Sequence, residues 1–505
     1  MLAMATLATA CGSRQATPAA LPPLADSFPL LALDEPTLCE ALRTAPLVWT
    51  DPESARRRKL VVSDIHLGPG AGATGELAGV EDFVSQAEWQ ALLAREAPGP
   101  PTDLIIAGDL IDFWQIAGGI GVPVKRDESD SLLTLDVALA SHPDFFAVLR
   151  GFLAAGDHRV IFVRGNHDAD LVWPRVQLRI AEVLGAKGLR QLVFAPALGY
   201  AHGGVHVEHG HHFDGANTPL RELAPVELGP DGHCRLRPVW GEVFLAEVFN
   251  EVERRMPFVD NLSPEGAAVM WGLSEEPDKR RVVSTVASFL ELVADRELRD
   301  LNVASLVSLV MAGLGTPLSP GRDVGATDVA TAALPSSEAG LSGLIRLYGD
   351  PAFAPLRAQL EAIATAFPAP LATLGAIRRL DVGSLRALLD DGSSGDPFQV
   401  AAASLQSAQV IVFGHTHTPG GLLATLPDGR AYANTGSWLP TQRVETLKAL
   451  GIAWNALDLG NRAHFPTELP VVVITYDGAG DPCHPHLVHI GDLPMPILPT
   501  ACDAP

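Results

Sequence analysis

The stretch Ile161-Phe162-Val163-Arg164-Gly165-Asn166-His167-Asp168 decides how this chain is read. A short β-branched apolar run stops at a glycine, and the next three side chains can each hold a metal, a proton or a phosphate. A buried strand that delivers polar groups to a sheet edge has this form, and so does an exposed turn. The rest of the chain decides between them. Leu60–Ser63 ends in Asp64-Ile65-His66, and Leu104–Ala107 ends in Gly108-Asp109-Leu110-Ile111-Asp112. Val205–Glu208 ends in His209-Gly210-His211-His212, and Val410–Phe413 ends in Gly414-His415-Thr416-His417. Five strand ends carrying such groups point to one shared rim, the usual place for a site in an α/β sheet.

Helical spacing over Val80–Ala94 and Phe145–Ala155 alternates with the first strands, as in an α/β fold. Leu192–Ala195 and Val205–Glu208 read as neighbouring strands around the Gly203-Gly204 turn. Late in the chain, Leu422–Leu426 pairs with Ala431–Asn434, and Val471–Tyr476 with His486–Ile490. Between them Glu242–Arg255, Val282–Ala294, Val303–Leu314 and Leu356–Phe367 carry apolar residues at helical spacing. The uncharged interval Leu301–Gly321 is broken by Asn302, Pro317 and Pro320, which reads as a buried helix rather than a membrane span. The expected organisation is an extension over 1–58, a domain in two parts over 59–216 and 401–495, a mainly helical insertion over 217–400, and a tail over 496–505.

With 505 residues, 47% of them hydrophobic, the chain can bury a large core. Its 36 basic and 59 acidic residues give a formal charge of -23, which repels nucleic-acid polymers and acidic membranes. A small anionic substrate is compatible with that charge where metal ions supply positive charge locally. Five cysteines without CxxC spacing suggest neither a zinc ribbon nor a dense disulfide framework. Met1–Ala10 is too short to span a bilayer, although Ala8-Thr9-Ala10-Cys11 resembles a lipoprotein cleavage site. A cytoplasmic chain is expected, with envelope anchoring through Cys11 as the alternative.

The collected rim residues are Asp64, His66, Asp109, Asn166, His209, His415 and His417, with His167 beside Asn166. Carboxylates, imidazoles and one amide suit Mn, Fe, Zn, Co or Ni better than calcium, which prefers an all-oxygen set. In order along the chain, the five clusters resemble the five motifs of the calcineurin-like metallophosphoesterases. The resemblance covers 59–213 and 409–490 and implies a four-layer αββα sandwich with two divalent metal ions at the sheet edge. It implies Asp64, His66 and His417 on one metal, Asn166, His209 and His415 on the other, and Asp109 between them.

It further implies hydrolysis of a phosphate ester or pyrophosphate by a hydroxide shared between the metals. His167 resembles the family histidine that protonates the leaving oxygen, with Asp112 or Asp168 orienting it. Asp64-Ile65-His66-Leu67-Gly68 and Glu208-His209-Gly210-His211 are similar to the bacterial branch that includes UDP-2,3-diacylglucosamine diphosphatases. Those relatives usually carry Arg in place of His167 and are much shorter. His211, Trp173, Arg175 and the stretch Met256–Leu262 are candidate substrate contacts, and the insertion is a candidate cap. A membrane-surface lipid phosphohydrolase and a catalytically silent metal-binding scaffold are the alternatives.

Overall fold

The computed structural model describes residues 24–46, 48–50, 56–70, 80–186, 190–196, 198–213, 217, 225–254, 256, 259–263, 268, 271–272, 408–458, 461, 463–466, 468–491 and 498–502. The helices expected at Val282–Ala294, Val303–Leu314 and Leu356–Phe367, and the interval Leu301–Gly321, lie outside the described residues.

In chain order the strands are β1 (Arg58–Val62), β2 (Thr102–Ala107), β3 (Arg159–Val163), β4 (Leu192–Phe194), β5 (Tyr200–His202), β6 (Val205–Val207), β7 (Val226–Leu228), β8 (Cys234–Leu236), β9 (Leu262–Ser263), β10 (Val410–Phe413), β11 (Leu422–Thr425), β12 (Ala431–Asn434), β13 (Gln442–Arg443), β14 (Pro470–Ile474) and β15 (His486–His489). The helices used below are α1 (Glu35–Arg43), α2 (Gln86–Glu96), α3 (Phe113–Ile120), α4 (Glu128–Ser141), α5 (Pro143–Ala155) and α6 (Pro174–Val183).

A six-stranded sheet runs β15-β14-β1-β2-β3-β4 and a five-stranded sheet runs β11-β12-β10-β6-β5. The run from β1 to β4 is parallel, and so are β6, β10 and β12. Alternation along each strand builds two cores. In β1, Leu60 and Val62 face the helices with Trp89, Leu93 and Phe145, while Val61 faces the other sheet. Val61, Ile105, Ile161 and Val472 meet Val205, Val207, Val410 and Val412 in the layer between the sheets. Helices, sheet and sheet are thus three of the expected layers. The parallel strands put the carboxyl ends of β1, β2, β3, β6 and β10 on one rim.

One expectation is corrected. Leu192–Ala195 and Val205–Glu208 are not neighbours: β4 lies in the first sheet, and Gly203-Gly204 instead joins β5 to β6 in the second. Gly203 and Gly204, both at positive φ, supply the tight turn that makes that β5–β6 pair. Four of the cysteines pair, as Cys39–Cys234 and Cys483–Cys502, two bonds that fall short of a dense framework. The first bond ties α1 to the β7–β8 hairpin across a separation of 195 residues. The extension also adds to the second sheet, where Trp49 bonds backbone to backbone with Gly199 and Ala201.

Candidate metal centre and cleft

Each strand of the rim passes directly into a loop that bonds to its neighbour. The amides of Asp64, Ile65, His66 and Leu67 donate to the carbonyls of Gly108, Asp109, Asp109 and Leu110. The cost of these loops is visible in the backbone. Among the described residues only six that are not glycine have positive φ, and five of them are Asp64, His66, Asp109, His415 and His417. Such conformations persist only where the surroundings enforce them, and they collect at functional sites. Two glycines make room. A Cβ on Gly165 would lie 1.9 Å from Asp109 Oδ1, and one on Gly108 would lie 2.3 Å from His209 Nδ1.

Six of the seven rim residues form two donor groups, and Asn166 stands beside the second. Asp64, His66 and His417 form one, and Asp109, His209 and His415 form the other, each with ligand atoms within 4.8 Å of one another. In the first, His66 Nε2 is 3.2 Å from His417 Nε2, and Asp64 Oδ1 is 3.2 Å from His417 Nε2. In the second, His209 Nε2 is 3.1 Å from both Asp109 Oδ2 and Asn166 Oδ1. Asp109 Oδ2 is also 3.7 Å from His66 Nε2, so it stands between the groups.

The tautomers are set from outside. His209 Nδ1 donates to the Ala107 carbonyl at 2.8 Å and His66 Nδ1 faces Asp112 at 3.1 Å, which turns both Nε2 atoms inward. Below Asp64, the Trp438 amide and the Ser437 hydroxyl donate to its carbonyl, so the segment after β12 packs beneath the rim.

Electrostatics favour positive charge here. Burial opposes ionisation of Asp109, yet the His209, His167 and His66 rings outweigh it and hold the carboxylate well below its usual range. Burial equally opposes protonation of His209, but Asp109 and Asp64 push it up to about 10. Facing imidazole nitrogens and buried carboxylates fit a divalent cation in each group.

His167 lies beside this centre. Its Nδ1 is 2.9 Å from Asp112 Oδ2, and against the cost of burial Asp112 and Asp109 raise it to about 9. Asp168 plays a different part. It accepts the Gly165 and Leu110 amides at 2.6 and 2.9 Å and so fastens two motif loops together. Burial, then Asp109, raise Asp168 to about 7.

A cleft of about 430 Å³ opens next to Asn166, lined by Trp114, Arg164, His211, His212 and Arg237 among others. His211 is therefore at the cleft. Burial, followed by the neighbouring histidines, holds its pKa well below the usual value. Trp173 and Arg175 are corrected. Trp173 is 1% exposed within the helix-side core, because Pro174 starts α6 there and turns the indole inward. Arg175 points to solvent, pairs with Glu128 at 3.5 Å and does not line the cleft.

Met256, Val259 and Leu262 pack in an apolar cluster, while Pro257 and Phe258 lie outside the described residues. Their neighbour Asp260, half-buried, joins the buried Asp82 and Glu253 in an acidic trio that the sequence did not reveal. Burial, followed by Asp260, raises Asp82 well above the carboxylate range. Arg164, Trp114 and Arg237 are further cleft residues that sequence reasoning missed. Arg164 and Trp114 adjoin two of the motifs, which is a signal that adjacency alone could have used.

Residues 57–252 match the family described as calcineurin-like phosphoesterase. No curated protein matches the chain.

Proposed function

We propose that this chain is a metal-dependent phosphoesterase that hydrolyses a phosphate ester or pyrophosphate bond in a small substrate. The observation that carries this reading is the position of Asp109 Oδ2 between His66 Nε2 and His209 Nε2, members of two separate donor groups. Divalent cations held by Asp64, His66 and His417 and by Asn166, His209 and His415, with Asp109 shared, would supply Lewis acidity and acidify a water molecule.

The protein's own groups do the rest. Asn166 offers a neutral oxygen, so the centre keeps a positive excess for phosphate. Asp112 fixes His167 through Nδ1 and leaves Nε2 to protonate the leaving oxygen, a contribution of about 10²–10⁴-fold for general acids. Arg164 and Arg237 favour an anionic group in the cleft, and His211 adds a neutral polar wall.

The test is turnover of p-nitrophenyl phosphate and bis-p-nitrophenyl phosphate with Mn²⁺. Activity is expected to vanish on chelation and with Asp109→Asn. Undiminished turnover by metal-free protein overturns the proposal.

The two disulfides support residence in an oxidising compartment over the cytoplasmic expectation. Cell fractionation decides this: recovery of the native protein in the cytosol with free thiols at Cys39 and Cys234 would refute it.

A further inference from the structure

Helix α3 touches His167 twice. Its N-cap, Asp112, accepts from the Gln115 amide through Oδ1 and meets His167 Nδ1 through Oδ2. Two residues on, Trp114 covers the face of the imidazole, with ring centroids 4.0 Å apart and planes 27° from parallel. His66 approaches the same imidazole edge to face at 4.7 Å. The Phe113 amide donates to the His167 carbonyl, which locks the two backbones together.

Trp114 is 4% exposed and lines the cleft beside Asn166. It also packs into an apolar cluster with Leu245, Phe249, Met256 and Val259 and with Leu447 and Trp454 of the later part of the chain.

A histidine held by one hydrogen bond at Nδ1 can still pivot about that bond, which swings Nε2 away from the leaving oxygen. A flat wall against one face removes this freedom. We infer that Trp114 is a positioning residue for His167, and that packing of that cluster against Trp114 sets the plane of the proton donor. The inference rests on the reading of His167 as that donor. It assigns the segment around Leu245–Val259 a part in chemistry. Misplacing a reacting group by about 1 Å can cost about 10²-fold in rate, so a loosened wall has a measurable effect.

The experiment compares an ester whose leaving group departs without a proton, p-nitrophenyl phosphate, with one that requires it, β-glycerophosphate. Rates and metal content are measured for wild type, Trp114→Ala, Trp114→Phe and Phe249→Ala. Trp114→Ala is expected to lose about tenfold more kcat on the alkyl ester than on the aryl ester at full metal content. Trp114→Phe keeps a ring wall and is expected to restore most of that difference. Phe249→Ala removes a member of the cluster that holds Trp114 and is expected to show the same one-sided loss at smaller size.

Equal losses on both esters in a wild-type-active background overturn the inference, as does a loss that follows metal content. If Trp114→Ala does not fold, an unchanged alkyl-to-aryl ratio in both Trp114→Phe and Phe249→Ala overturns it as well. Wild type that hydrolyses neither ester sinks the phosphoesterase reading itself, and this inference with it.

Discussion

His66 and His167 share one carboxylate oxygen: Asp112 Oδ2 lies 3.1 Å from Nδ1 of the first and 2.9 Å from Nδ1 of the second. A proposed metal ligand and a proposed proton donor are thereby oriented by the same atom. Asp112→Asn keeps the shape but removes the charge, and if its oxygen meets both rings its NH2 is set against the Gln115 amide, a donor facing a donor. We expect about 10–100-fold weaker metal binding, as for other outer partners of ligating histidines. At saturating metal a further loss in kcat on poor leaving groups remains. Metal titration followed by saturated kinetics separates the two; a single defect cured entirely by excess metal contradicts the shared role.

Gly165→Ala places a methyl group on Asp109 Oδ1. The neighbour is a buried carboxylate that also accepts the His167 amide at 3.0 Å, so it has no free direction in which to move. We expect about 1–3 kcal/mol of destabilisation, the usual range for overpacking, together with loss of bound metal. Urea unfolding and elemental analysis check both, and wild-type metal content in a fully stable variant refutes the account.

The acidic trio predicts a pH dependence of stability. Burial, followed by Asp260, raises Asp82 above its unfolded value, so the folded state binds more protons in the window from the ordinary carboxyl pKa up to the raised one. Stability therefore falls as pH rises through that window, by at most about 1.4 kcal/mol per pH unit for one group. Asp82→Asn is expected to flatten the slope in denaturant titrations at pH values above the ordinary carboxyl pKa. An unchanged slope counts against a raised Asp82.

Cys39–Cys234 closes a very long loop, for which chain-entropy arguments allow about 5 kcal/mol at most and typical measured gains are about 2–4 kcal/mol. The Cys39→Ala, Cys234→Ala double variant is expected to melt at lower temperature. It is also expected to weaken substrate binding, because Pro225 and Arg237 flank the tethered hairpin and line the cleft. Equal KM in a destabilised variant separates the two effects and rejects the second.

Strands were the legible part of the fold. β1, β2, β3 and β10 announce themselves as apolar runs that stop at polar groups, because strands buried on both faces have no reason to alternate. The helices α3, α4 and α6 did not. In α4 the start is set by Asp127 accepting from the Ser129 and Asp130 amides, a local capping signal rather than a hydrophobic stripe. Trp173 reads as a surface residue because its neighbours Pro174 and Arg175 look like surface, whereas the indole itself fills the core. The donor set was legible through its motifs. The Asp82, Glu253 and Asp260 trio and the Cys39–Cys234 bond were not, since each joins positions far apart in the chain and only folding makes them neighbours.

The left-handed backbone at Asp64, His66, Asp109, His415 and His417 has a bearing on how this site tolerates change. At such positions a glycine would relax the chain, yet it would also remove a side chain that ties the loops, as Asp64 Oδ2 does by accepting the His415 amide and Asp109 Oδ1 by accepting the His167 amide. The strained backbone and the donor set are thus held by the same side chains, and a change that erases a donor also loosens the loop that presents it.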